Sequence, residues 1–285
     1  MINFSILGIV AKNYPNFLIQ KYILPHKRLR HFARKIHLPT YYKLFKKSIF
    51  DFIDKSTDQK NLMVDVGAAY FYRRHWKILD FSTDHYFFIP GIIDYNFDLT
   101  SGKKFPFENN SVSLFYSSHT LEHVPVTFCQ HIFNEFYRCL KPGGCVRLTM
   151  PDFDKAANAF EQNDIDYFDL YDDPIEQRFL RIFAVHKIGN VSNDKVKSDF
   201  ISMSKEKFAD NYISDVDLDM VKKFGHSLHV NWWNFEKAKL FLQNAGFEII
   251  INSEPNKSRF KEFQNETLFD HRYPKISMYV EAIKK

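Results

Sequence analysis

The stretch DYNFDLTSGKKFPFENNSVSLFYSSHTLEHVPVTFCQHIFNEFYRCLKPGGCVRLTMPD, residues 94–152, restricts what this chain can fold into. It runs as apolar segment, acidic end, turn, apolar segment, polar end, amphipathic segment, Lys-Pro-Gly-Gly, and an apolar segment closing on Pro-Asp. That order reads as strand, loop, strand, helix, turn, strand. Its polar residues fall where the strands end, which is where an open α/β sheet binds ligands.

The flanking sequence continues the pattern. Asn61 to Gly67 is a short apolar run closed by Asp-Val-Gly, a buried first strand and a tight turn. Lys77 to Phe81 makes a second strand, Ile92 to Leu99 a third, Ser111 to Tyr116 a fourth and Cys145 to Met150 a fifth. Between the last two, Phe128, Ile132, Phe133, Phe136, Tyr137 and Leu140 recur at three- and four-residue steps. That spacing predicts a helix over Pro125 to Leu140 with one face on the sheet, ended by Lys141-Pro142-Gly143-Gly144. Residues 153–225 lack strand patterns and are expected as a helical insertion, where a substrate wall would sit. A helix at Asn234 to Ala245 stops at Gly246, and strands follow at Phe247 to Asn252 and Ser277 to Ile283. Strands separated by crossover-length connections give a doubly wound, mostly parallel, seven-stranded Rossmann-like sheet. The expected division is a basic helical extension over residues 1–58 and one α/β domain over residues 59–285.

Charge divides along the same line. Ten of the 39 Lys and Arg fall in residues 1–50, which hold no Asp or Glu, so the remainder carries 29 against 34 acids, a net of −5. Such a leader suits an anionic membrane surface or nucleic acid. Cys129, Cys139 and Cys145 form no CxxC, so neither a disulfide framework nor a metal centre is expected. The apolar start, Phe4 to Val10, is far short of the roughly 18–20 residues of a membrane span. A cytoplasmic protein, peripheral at the membrane if the leader engages lipid, is the expectation.

The strand ends carry what a nucleoside cofactor needs. Gly67 lets backbone approach at the first turn, Asp80 stands at the end of the second strand to accept ribose hydroxyls, and Asp98 stands at the end of the third. The segment from Val64 to Asp152 resembles class I S-adenosylmethionine-dependent methyltransferases. The resemblance rests on Gly67, then Trp76 with Asp80 four residues on; on Asp98-Leu99 followed by Phe105-Pro106-Phe107-Glu108-Asn109-Asn110-Ser111-Val112; on Ser117-Ser118-His119-Thr120-Leu121-Glu122-His123; and on Leu140-Lys141-Pro142-Gly143-Gly144 with Pro151-Asp152. Asn244-Ala245-Gly246-Phe247 extends it. Three positions depart from the pattern: Ala69 replaces the second motif glycine, His75 the glycine before the Trp, and Ser113 the usual fourth-strand acid.

The resemblance implies S-adenosylmethionine as cofactor. Asp65, Gly67 and Ala69 would face its methionine part, Asp80 its ribose, and Asp98 and Leu99 its adenine, with Ser117 and His119 closing from the fourth strand. Methyl transfer chiefly requires the acceptor to be positioned, with a base in reach for an oxygen or nitrogen nucleophile. Asp152, His123 and His229 are the candidate catalytic groups, with His119 and His226 as further bases at the mouth; His123 and Glu122 open the long helix, where Glu122 reads either as a helix cap or as catalytic. Asn231-Trp232-Trp233-Asn234 reads either as a sugar-stacking surface or as a helix cap with two core tryptophans. The expected partner is a small-molecule or saccharide acceptor, such as a cell-surface polysaccharide precursor. An RNA-directed methyltransferase or non-catalytic RNA-binding protein is the alternative. A dinucleotide oxidoreductase is a third reading that fits poorly, because Gly67-Ala68-Ala69 is not GxGxxG and the gap to Asp80 is too short for a full helix.

Overall fold

The computed structural model describes residues 61–68, 73, 75–81, 93–168, 173–224, 228–265, 268–271 and 273–285. The basic extension, Ala69 and His226 lie outside them.

Seven strands form one sheet: β1 (Leu62–Val66), β2 (Trp76–Asp80), β3 (Tyr95–Asn96), β4 (Val112–Ser118), β5 (Leu140–Pro151), β6 (Ile249–Ser253) and β7 (Ser277–Ile283). Their spatial order is β3-β2-β1-β4-β5-β7-β6. The first five are mutually parallel, and β7 runs antiparallel to both neighbours, β5 and β6. The chain proceeds outward from β1 to β3, then returns to place β4 on the other side of β1. This reversal opens a crevice at the carboxyl ends of β1 and β4.

One sheet face is covered by α1 (Val126–Cys139) and, against it, α7 (Phe235–Ala245). Val64, Val66, Phe115, Val146 and Leu148 from the strands meet Ile132, Phe133 and Phe136 of α1 in the main core. Each such fully buried side chain contributes roughly 1.5–3 kcal/mol. The opposite face packs Trp76, Leu114 and Tyr116 beneath Phe263 and Phe269. Arg147, fully buried in β5, anchors that cover: its guanidinium binds Asp270, Glu281 and the Glu254 carbonyl.

The segment after β5 builds a core of its own. It contains α2 (Phe153–Glu161), α3 (Ile175–Phe183), α4 (Asn193–Ser202), α5 (Lys205–Ile213) and α6 (Leu218–Phe224). Phe179 is its centre, stacked on Phe160 at 4.6 Å and on Phe208 at 5.8 Å. This segment is therefore helical with its own core, in which Phe153 meets Trp232 at 5.2 Å.

Three expectations change. The third strand keeps only Tyr95–Asn96, because β2 offers this edge just two pairing positions, Leu79 and Asp80, before Asp98 closes a turn. Lys141-Pro142-Gly143-Gly144 is not a separate turn. The helix stops at Cys139, Leu140 is already extended, and the four residues form an irregular start of β5 between the pairs Val112–Leu140 and Leu114–Cys145. Backbone bonds between Gly143 or Gly144 and Lys284 hold them in the sheet. Glu122 and His123 do not open the long helix. They lie in a separate 3-10 turn, Leu121–His123, with Pro125 capping α1.

Candidate active site

The site is assembled from the turns that follow β1, β2 and β4. Gly67 takes φ +71°, a conformation open to glycine, and a Cβ there would stand 2.3 Å from Thr120 Cγ2 and Oγ1. The turns after β1 and β4 therefore touch through a position that admits no side chain. Thr120 Oγ1 lies 3.3 Å from the carbonyls of Val66, Gly67 and Ser118. Thr120 was not singled out in the sequence, because its role depends on a glycine fifty-three residues away.

Ser117 sits beside Val66 in the β1–β4 register. Its hydroxyl is buried and has no hydrogen-bond partner among the described residues. A buried polar atom without a partner is unfavourable in a finished core, and this one lies at the switch point. Asp80 Oδ1 accepts from the amide of Phe81. Asp98 Oδ1 accepts from the amide and hydroxyl of Thr100, an Asx turn at the end of β3. Leu99 packs half-buried against the main core. Asp65 points to the other sheet face, where its buried carboxylate pairs with Arg73. Arg73 also bonds the Leu268 carbonyl and lies over the Tyr116 ring. The carboxylate offered to a cofactor in the sequence reading is thus engaged in an internal ion pair.

His119 takes φ +51°, uncommon for a side chain with a Cβ. Its ring lies 3.1 Å from Glu122 Oε1 through Nδ1 and 2.8 Å from Ser277 Oγ through Nε2. Glu122 does not cap a helix. It is buried and central to a polar cluster, with His123 Nε2 4.0 Å from its Oε1 and the rings of His123 and His229 at 4.8 Å. Burial disfavours the Glu122 carboxylate. The hydrogen bond from His119 and the surrounding imidazoles outweigh it and hold the group well below the usual carboxylate range. Burial pushes His123 and His229 down, so both are neutral at pH 7. Of the three candidate catalytic groups, the structure brings His123 and His229 together. Asp152 is the N-cap of α2, accepting from the amides of Asp154 and Lys155. Burial raises the Asp152 pKa.

Trp232 and Trp233 resolve into core. Trp233 packs between Phe133 and Phe241, and Trp232 belongs to the core of the insertion. Asn234 caps α7 through Lys237 N. The tandem tryptophans therefore present no stacking surface.

With β4 returning beside a central β1, the sheet is doubly wound and mostly parallel, a Rossmann-like fold. The family model described as a methyltransferase domain matches residues 87–148. No curated protein matches the chain in sequence. Among solved structures it is similar to an S-adenosylmethionine-dependent methyltransferase from Mesorhizobium loti (TM-score 0.38, 15% identity, 79% of this chain and 93% of that one). It is also similar to human N-acetylserotonin methyltransferase in complex with SAM (TM-score 0.35, 13% identity, 99% and 61%). A third is a Haemonchus contortus phosphoethanolamine N-methyltransferase, also in complex with S-adenosyl-L-methionine (TM-score 0.33, 14% identity, 79% and 48%). The chain thus spans about half to three fifths of the length of the latter two. Among the described residues no helix is long and apolar enough to cross a membrane.

Proposed function

We propose that this chain transfers a methyl group from S-adenosylmethionine to a small-molecule or saccharide acceptor, such as a cell-surface polysaccharide precursor. The observation that carries the reading is the buried, unpartnered Ser117 hydroxyl beside a first turn too close for any side chain at Gly67. A nucleoside cofactor in the crevice would give Ser117 its missing partner. Its ribose would meet Asp80 and its adenine would meet Asp98 and Leu99, with the second Asp98 oxygen outside the Asx turn. When bound, the cofactor supplies a methyl group on a sulfonium, an electrophile that needs no further activation.

The chain's own contribution is then placement and proton handling. Placement is worth up to about 7–11 kcal/mol in favourable systems. The Glu122–His123–His229 cluster follows β4 by four residues at the same end of the sheet, so it is the polar group an acceptor hydroxyl would meet there. Asp152 is assigned to holding the start of α2. The test is a labelled-methyl screen with purified full-length chain against nucleotide sugars, glycans and RNA. Label in a saccharide supports the reading, and label in none of them with donor bound contradicts the acceptor class.

The basic segment of residues 1–50 supports a second reading, an RNA-directed methyltransferase or RNA-binding protein. That reading requires RNA affinity that falls steeply with salt. Retention of no RNA at low salt removes it. The same segment would serve a peripheral membrane location, measurable as co-sedimentation with anionic vesicles.

A further inference from the structure

We infer that Glu122, His123 and His229 form a binding site for a divalent first-row transition metal. One ligand atom from each lies within 4.8 Å of the others. Metal bonds of about 2.1 Å at tetrahedral angles put ligand atoms about 3.4 Å apart, so closure requires side-chain movement on the order of 1 Å.

Hydrogen bonding has already prepared the three groups. His123 Nδ1 lies 2.9 Å from the Leu228 carbonyl, and His229 Nδ1 lies 2.8 Å from the Ile182 carbonyl. A carbonyl only accepts, so each Nδ1 carries the proton and each Nε2 keeps its lone pair. A metal-binding histidine is commonly fixed by such a bond on its other ring nitrogen. The third group has an independent vacancy. Glu122 is 1% exposed, its Oε1 takes the His119 hydrogen bond, and its Oε2 has no partner among the described residues. The Glu122 carbonyl accepts the amides of Val230 and Asn231, which holds the His229 segment beside the carboxylate. Half-buried His123 leaves the cluster open on one side.

Two imidazoles and one carboxylate make a borderline donor set with open positions, suited to zinc, cobalt, iron or manganese. An open position would take an acceptor oxygen and ease its loss of a proton. The histidines would then act as ligands and not as proton acceptors. That role rests on the proposed methyl transfer. The binding site does not.

The test titrates chelator-stripped full-length protein with Co²⁺ and Zn²⁺ and follows visible ligand-field bands and calorimetric heat. S-adenosylmethionine is titrated into the same sample. The expected result is one equivalent bound, weakened at least about tenfold in Glu122→Gln and in His229→Gln and unchanged in the control His131→Gln, a half-buried histidine outside the cluster. Melting curves check that each variant folds, and the half-buried His229 position keeps the test available if Glu122→Gln does not. Absence of stoichiometric binding, or binding that both site variants leave unchanged, overturns the inference. Cofactor binding without metal binding would sink the metal site alone. Metal binding without cofactor binding would sink the proposed reaction alone.

Discussion

Gly67 and Thr120 bring the turns after β1 and β4 into direct contact: a Cβ on Gly67 would lie 2.3 Å from the threonine side chain and 2.8 Å from its Cβ. Gly67→Ala combines that overlap with a left-handed backbone. The first effect costs about 1–3 kcal/mol and the second about 1–2 kcal/mol. We predict a loss of roughly 2–5 kcal/mol in urea denaturation, together with loss of cofactor binding. An unchanged midpoint would mean the two turns are not in contact.

His75 occupies φ +67° where the family pattern has glycine, and its side chain is exposed. The strain should therefore be recoverable. His75→Gly relieves about 1–2 kcal/mol of left-handed strain and adds part of that back as unfolded-chain entropy. A net gain of up to about 1 kcal/mol is expected, seen as a melting temperature higher by about 2–4 °C. A lower melting temperature would contradict it.

Arg147 is completely buried between Asp270 and Glu281. Arg147→Met leaves two buried carboxylates uncompensated and should cost about 3–5 kcal/mol. Asp270→Asn leaves the Arg147–Glu281 pair intact and should cost less. Equilibrium unfolding of the two variants side by side checks the order, and the reverse order would show that Asp270 rather than Arg147 holds the cover of that sheet face.

Burial pushes the Lys237 ammonium down to about 8, against the attraction of Asp210. Between pH 8 and 10.5 the unfolded chain therefore holds a proton that the folded chain has released. Stability should rise with pH across that window. The indole of Trp232, 3.9 Å from Nζ, and Asn231 Oδ1 at 3.0 Å recover part of the loss below pH 8. Lys237→Met should be more stable than the parent at pH 7 by about 1–3 kcal/mol, with the difference vanishing near pH 10.5. Denaturant titrations at several pH values measure it, and a difference that grows with pH would reverse the sign.

The elements were legible where a run is bounded by a residue with a mechanical reason to stop: Gly67 with its positive φ after β1, Asp98 with its Asx turn after β3, Gly246 with its left-handed cap on α7. The length of β3 was not legible, since it depends on how much of β2 is left to pair with. The Lys141-Pro142-Gly143-Gly144 run carries turn chemistry in any local reading, yet Lys284 of the far-off β7 end pulls it into the sheet. Trp232 and Trp233 look the same in sequence whether they stack on a sugar or fill two cores. Glu122 was visible only as an acid near a helix start. The sequence carries no local sign of its pairing with His119 or of its meeting with His229, more than a hundred residues on.

The central claim is a working cofactor crevice at the β1–β4 switch point, and calorimetric titration of the full-length chain with S-adenosylmethionine tests it most directly. Saturable binding at one site is predicted, weakened at least about tenfold by Asp80→Ala through loss of charge-assisted bonds to the ribose. No heat from a folded sample at saturating donor, or binding indifferent to Asp80, would contradict it.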